Sequence, residues 1–326
     1  MPLNELNNVL IIRLSSLGDI LLTTPLIRSL KKKYPLVSID FIMREEYRDV
    51  LKHNTYINNL MLFSRTDNTE IHKTVKNRNY DMVIDLQNNL RSRSLTRQVS
   101  APVYKLDKKR LDKFLLVNFG INRLMDAPPV PERYIAAVPE LEPDGQGLDL
   151  ILPDNINTVS SPGRNIAMCP GSRHFTKMWP EVNFIELGRL LSMQGYKIFL
   201  LGGSSDREIC RRIAQEIDGA ADLSNNNELF LTAAEMKNCT AIICNDSGMM
   251  HTACAAGVPV AVFFGSTVRE FGFTPYKNNN LILENNSLSC RPCSHIGRAK
   301  CPKGHFKCMK EITPALAFDK ISKILK

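Results

Sequence analysis

Four short stretches carry side chains of the types and spacing that chemistry needs. The first, Ser15-Ser16-Leu17-Gly18-Asp19, follows an apolar run and places a carboxylate at the start of a helix. Asp19 then has two readings: a cap whose oxygen accepts a backbone N–H, or a base presented to a ligand. The second is Pro170-Gly171-Ser172-Arg173-His174-Phe175-Thr176-Lys177-Met178-Trp179-Pro180. Gly171 and Ser172 offer backbone and hydroxyl donors, and Lys177 supplies a point charge suited to a diphosphate. Trp179, the one tryptophan, reads as core. The third, Gly202-Gly203-Ser204-Ser205-Asp206, ends in an acid placed either to hold ribose hydroxyls or to cap the next helix. The fourth, Asn245-Asp246-Ser247-Gly248-Met249-Met250-His251, opens a helix whose first N–H groups and dipole would face an anion. His251 lies one turn in, where a structural and a ligand-facing role are both open.

A fifth constellation lies near the end of the chain. Cys290, Cys293, Cys301 and Cys308 are spaced as Cys-x2-Cys-x7-Cys-x6-Cys, with His295 and His305 interleaved. A Cys-x2-Cys followed by two more cysteines is metal-like, and a structural Zn²⁺ is the natural ion. The later pair is not the second Cys-x2-Cys of a zinc ribbon, so free or oxidised thiols are the competing reading. The other five cysteines, Cys169, Cys210, Cys239, Cys244 and Cys254, sit in apolar segments as small buried hydrophobes of a reducing compartment.

The elements that position these loops alternate throughout between strand-length apolar runs and segments of helical period, which predicts an α/β architecture with parallel sheets. Strands are predicted at 8–13, 37–43, 57–63 and 82–86, with one helix running from the Asp19 loop through Lys33. From Ala127 to Pro162 seven prolines and two glycines, with Gly163 directly after, signal extended connections and an interdomain linker. Alternation restarts with strands at 165–169, 197–201, 240–244 and 258–263 and helices at 181–194, 206–217 and 228–238. The expectation is two Rossmann-like domains, 1–155 and 156–326, facing a cleft, with the last helix free to pack back on the first domain.

The 326 residues suit two domains of about 150 each. The 44% hydrophobic and 23% charged fractions are those of a globular protein and exclude disorder. No stretch approaches the roughly 18 apolar residues of a membrane span, and no secretory signal is visible, so a cytoplasmic location is expected. The net charge of +9 suits an anionic partner. The excess is local: Lys31-Lys32-Lys33, and Arg91, Arg93, Arg97, Lys105, Lys108, Lys109, Arg110 and Lys113. The second cluster contains one aromatic residue, Tyr104, so the stacking platform of a single-strand binder is missing. A phosphorylated or membrane-borne substrate fits it better than nucleic acid. A dinucleotide fingerprint is also absent, since the first loop has only Gly18 where three glycines would be needed.

Ile12-Arg13-Leu14-Ser15-Ser16-Leu17-Gly18-Asp19-Ile20, Pro170 to Pro180, Asn245 to His251 and the tail from Cys290 to Pro314 together resemble glycosyltransferase family nine, the ADP-heptose:lipopolysaccharide heptosyltransferases. The form Asn-Asp-Ser-Gly-x-Met-His is closer to the second heptosyltransferase than to the first. The resemblance implies a GT-B fold, with the donor held by the C-terminal domain and the acceptor by the N-terminal one. By position it makes Asp19 the general base. Ser172, Lys177, Asp206, Asp246, Ser247, Gly248 and His251 become donor-binding, and Gln87 and Arg91 acceptor-binding.

The activity implied is inverting transfer of heptose from ADP-heptose to the lipopolysaccharide inner core, on Kdo-lipid A or heptosyl-Kdo-lipid A. Lys177 and the helix N-terminus after Ser247 would neutralise the departing diphosphate, and no metal is required; no Asp-x-Asp pair is present to hold one. The lipid-linked acceptor implies peripheral association with the inner membrane through the basic N-terminal patch, weakened by salt. Two alternatives stand beside this: transfer of another sugar from a different nucleotide, or a nucleotide-binding module without transferase activity.

Overall fold

The computed structural model describes residues 6–325. Over these residues it divides into two compact units, one formed by residues up to 109 with 128–151 and the other by 110–127 with 152 onward.

In the first unit the chain alternates β1 (Asn8–Ile12), α1 (Leu17–Leu21), α2 (Thr24–Lys33), β2 (Ser38–Arg44), β3 (Asn59–Phe63), α3 (Thr69–Asn77), β4 (Met82–Asp85), α4 (Leu90–Thr96) and β5 (Val103–Lys105). All pairings are parallel, in the order β3-β2-β1-β4-β5. The central β1 is an unbroken run of Val, Leu and Ile because both of its faces are covered; Val9 through Ile12 are fully buried. The single helix expected up to Lys33 is two. Thr23 and Thr24 turn their hydroxyls back onto the carbonyls of Ile20 and Leu21, and Pro25, which has no N–H to donate, stands in the first turn of α2.

The second unit begins with α5 (Arg110–Phe119), whose Leu116 packs with Leu124 and Phe271. The chain then returns to the first unit for α6 (Val130–Ile135), which lies on α2. Arg28 of α2 holds the stretch after α6 through ion pairs with Asp144 and Asp149 and a bond to the Gly147 carbonyl. The proline-rich segment is thus largely a structured part of the first unit, and residues 110–127, placed before the domain boundary by sequence, pack in the second.

The rest of the second unit is β6 (Asn165–Cys169), α7 (Glu181–Met193), β7 (Lys197–Leu200), α8 (Arg207–Gln215), β8 (Ala221–Asp222), α9 (Leu229–Lys237), β9 (Ala241–Asn245), α10 (Gly248–Ala255), β10 (Val260–Phe264), β11 (Asn280–Glu284), α11 (Lys307–Lys310) and α12 (Pro314–Ile324). Its sheet is also parallel, in the order β11-β10-β9-β6-β7-β8. Trp179 is core as expected: it stacks on Phe263 at 4.1 Å, meets Phe184 edge-on, and donates its indole N–H to the Ile312 carbonyl. The last helix, α12, packs on α7 and buries Ala317 and Ile321 in the same core. Because β10, β9, β6 and β7 are parallel neighbours, the loops leaving their carboxyl ends emerge side by side, where ligands of such sheets bind.

Candidate functional site

In the first unit the candidate base follows β1. Asp19 both caps and is presented. Its Oδ2 accepts the Ser16 N–H at 3.0 Å and the Ser16 hydroxyl at 2.7 Å, closing the start of α1, while Oδ1 meets the Arg13 guanidinium at 2.5 Å. Arg13 is itself buried, donates to the Leu86 carbonyl at 2.6 Å, and lies 5.7 Å over the Tyr134 ring. Burial opposes the Arg13 charge, but Tyr134, Asp19 and Asp85 outweigh it and hold the group above its ordinary pKa. Burial, and then the Asp19 charge and hydrogen bond, push the Tyr134 hydroxyl up, so it stays a donor to Asp19. Arg13, Ser16 and Tyr134 thus hold the carboxylate in a defined direction, and orientation toward the proton to be taken is the first thing a general base needs. The Asp19 side chain keeps 18% of its surface exposed, enough for a ligand to reach it.

Gln87 holds this loop from the other side. Its amide oxygen accepts the N–H groups of Leu14 and Ser15 at 2.9 and 3.3 Å. Arg91 is exposed in the first turn of α4. Arg13 and Tyr134 were invisible to sequence reasoning as site residues. Arg13 sits inside the quoted motif, but nothing in its pattern shows that it is buried against Asp19, and Tyr134 is 115 residues away along the chain.

In the second unit the structure brings together residues that the resemblance makes donor-binding. The Lys177 ammonium, on the loop after β6, lies 2.7 Å from Asp246 Oδ2, on the loop after β9. The Thr267 hydroxyl, on the loop after β10, donates to the same Asp246 oxygen at 2.6 Å. Asn245 staples the first two loops, accepting the Trp179 N–H at 2.9 Å and donating to the Pro170 carbonyl at 2.7 Å.

Ser247 is the N-cap of α10 and Gly248 its first residue. The Ser247 hydroxyl is buried and has no protein partner. An unsatisfied hydroxyl beside free helix N–H groups, with a lysine on the adjacent loop, is an anion site in the making. His251 is buried one turn into α10. Gly171 shows why its loop needs glycine: a Cβ there would meet the Asp206 carboxyl carbon at 2.2 Å. Asp206 is in turn held by the Gly203 N–H and the Ser205 hydroxyl. Ser172, next along from Gly171, is half-buried. Thr267 and Asn245 are the members of this group whose roles the sequence did not disclose.

The cysteine tail buttresses the Lys177 loop. The Thr176 N–H donates to the Arg298 carbonyl, its hydroxyl accepts the Arg298 N–H at 2.8 Å and lies 3.0 Å from the Ser266 hydroxyl, and the Cys293 N–H donates to the Ser266 carbonyl. Cys290, Cys293, Cys301, Cys308 and His305 line one small cavity, with Cys290 Sγ 3.9 Å from His305 Nε2. Burial raises the Cys293 thiol, and raises Cys308 to about 11. Although these groups share the cavity, no three His, Cys, Asp or Glu side chains among the described residues are placed to hold a metal ion.

Three comparisons bear on this arrangement. The sequence profile of glycosyltransferase family 9 (heptosyltransferase) matches residues 69–303. The lipooligosaccharide heptosyltransferase 2 of Haemophilus influenzae is 24% identical over 98% of this chain and 99% of its own. Among solved structures, a family 9 glycosyl transferase from Veillonella parvula superposes with a TM-score of 0.77 at 21% identity, covering 98% of both chains. The ADP-heptose lipopolysaccharide heptosyltransferase II of Escherichia coli does so with 0.73 at 20% identity, again over 98% of both. The fold shared with these structures is GT-B.

Proposed function

Since this chain belongs to glycosyltransferase family 9, we propose that it transfers heptose from ADP-heptose, with inversion, to the inner core of lipopolysaccharide. The observation that carries the donor half is the group formed by Lys177, Asp246 and the unpartnered Ser247 hydroxyl at the start of α10. An ADP diphosphate placed there would accept from Ser247 and from the first N–H groups of α10, and would take Lys177 from Asp246 as its counter-ion. Charge growing on the departing diphosphate is then stabilised by groups already in place, without a metal. Asp206, buttressed by Gly171, is the acid for the ribose hydroxyls. Ser172 and His251 complete the donor contacts.

On the acceptor side Asp19 takes the proton of the attacking hydroxyl. Arg13 and Tyr134 keep the carboxylate aimed, and Gln87 fixes the loop that carries it. Arg91 is a candidate contact to acidic core sugars. The acceptor is lipid-linked, Kdo-lipid A or its heptosylated form, and the enzyme works as a peripheral protein at the inner membrane surface. No helix among the described residues is long and apolar enough to cross a membrane. The test is incubation of the purified protein with ADP-heptose and each acceptor, followed by mass spectrometry of the lipid. Gain of one heptose with release of ADP is expected; transfer from a UDP- or GDP-sugar instead would refute the donor.

A further inference from the structure

The helix α5 has an apolar face that the fold does not use. Leu116 and Val117 turn inward onto Leu124, Val268, Phe271 and Phe273. On the other side Leu111, Phe114 and Phe119 are 64%, 55% and 65% exposed, and the turn that follows adds Ile121 at 48% and Met125 at 71%. Leu111 and Phe114 share a face at i, i+3 spacing, and the Phe114 and Phe119 rings meet edge-on at 5.9 Å, which joins the three side chains. Single exposed apolar residues are commonplace, but five large ones within fifteen residues mark a contact surface.

The charge around the patch identifies what it contacts. Within residues 110–127 the patch is flanked by Arg110, Lys113 and Arg123 against Asp112 and Asp126, and Lys108-Lys109 directly precede the helix in the chain. A two-fold contact centred on this patch would bring its net positive charge against that of a second copy. An anionic lipid surface complements it. At ten residues α5 is about 15 Å long, too short to span a bilayer and suited to lie in its interface.

We infer that the exposed face of α5, with Ile121 and Met125, docks on an anionic bilayer: Leu111, Phe114 and Phe119 enter the headgroup–acyl boundary and the flanking basic side chains meet lipid phosphates. The inference rests on the proposed lipid-linked acceptor only for its purpose; the surface stands on its own composition. Docking there would hold the enzyme where its acceptor is embedded.

The experiment is flotation of the full chain with phosphatidylethanolamine–phosphatidylglycerol vesicles and with phosphatidylcholine vesicles, at low and high salt. The wild-type protein should float with the anionic vesicles, less so at high salt, and hardly with the neutral ones. The variant Leu111→Ser/Phe114→Ser/Phe119→Ser should lose about tenfold or more in vesicle affinity, because three inserted side chains are removed. ADP binding and thermal stability, measured alongside, should stay those of the wild type, since all three side chains are exposed. Undiminished flotation of the triple variant would overturn the inference. So would failure of the wild-type protein to bind anionic vesicles, including the case where sedimentation shows these side chains joining two copies. Vesicle binding by a protein that does not bind ADP would leave this surface standing and remove the proposed donor instead.

Discussion

Replacing Asp246 by Asn separates what the protein does for Lys177 from what a donor does. In the ligand-free protein Asp246 is the counter-ion of Lys177 at 2.7 Å, and both side chains are largely buried. The amide keeps the shape and can still accept from Thr267, but it leaves the ammonium without its partner. Breaking a buried pair on one side costs about 3 to 5 kcal/mol. Lys177 retains some solvent contact, which places the cost at the low end, about 3 kcal/mol. A unit of this size loses about 2 to 4 °C per kcal/mol, so the free variant should melt about 6 to 12 °C below the wild type. Saturating ADP should recover much of that loss, because its diphosphate supplies the missing negative charge. The ADP-induced rise in melting temperature should therefore be larger for the variant than for the wild type. Differential scanning calorimetry with and without ADP reads both numbers. An equal or smaller rise in the variant would mean that Lys177 does not meet the diphosphate, and the account of the donor site would fail.

Three further outcomes follow from the same geometry. Asp19→Asn should lower turnover by about two orders of magnitude or more while ADP binding persists, since the lost group is a proton acceptor in the first unit; near-normal turnover would remove Asp19 as the base. Gly171→Ala should weaken donor binding by displacing the Asp206 carboxylate from the position its Cβ would occupy, with titration of ADP against the wild type as the measure and unchanged affinity as the refutation. Cys169, Cys210, Cys244 and Cys254 are raised by burial, so alkylation of the native protein at pH 8 should spare them until unfolding, as peptide mapping would show; early labelling of these four would contradict the packing.

How much of this was legible in the sequence depends on the range of the interaction. Strands such as 165–169, buried on both faces and bounded by loops, announce themselves as short apolar runs. The edge strands Val103–Lys105, Ala221–Asp222 and Asn280–Glu284 do not, being short or only half covered. The helix α5 was hidden for a related reason: its basic residues drew attention as a charge cluster, while its apolar residues fall on both faces and give no single stripe. The donor-loop residues could be read because each lies where a strand hands over to a helix, a position with local signals. Their connections could not. Nothing in the spacing pairs Lys177 with Asp246, sets Thr267 on the same oxygen, or brings Tyr134 to Asp19, because those contacts are made by the sheet order and by a crossover of the chain between units at 109, 127 and 151. Gln87 was read as an acceptor contact, and its oxygen turns out to be committed to the backbone beneath Asp19.

The central claim, that the second unit holds the ADP moiety of a heptose donor without help from a metal, is tested most directly by calorimetric titration of the purified protein with ADP, UDP and GDP, each with Mg²⁺ and with a chelator. The account predicts tight binding of ADP alone, unchanged by the chelator. Preference for UDP or GDP, or ADP binding that vanishes with the metal, would contradict it.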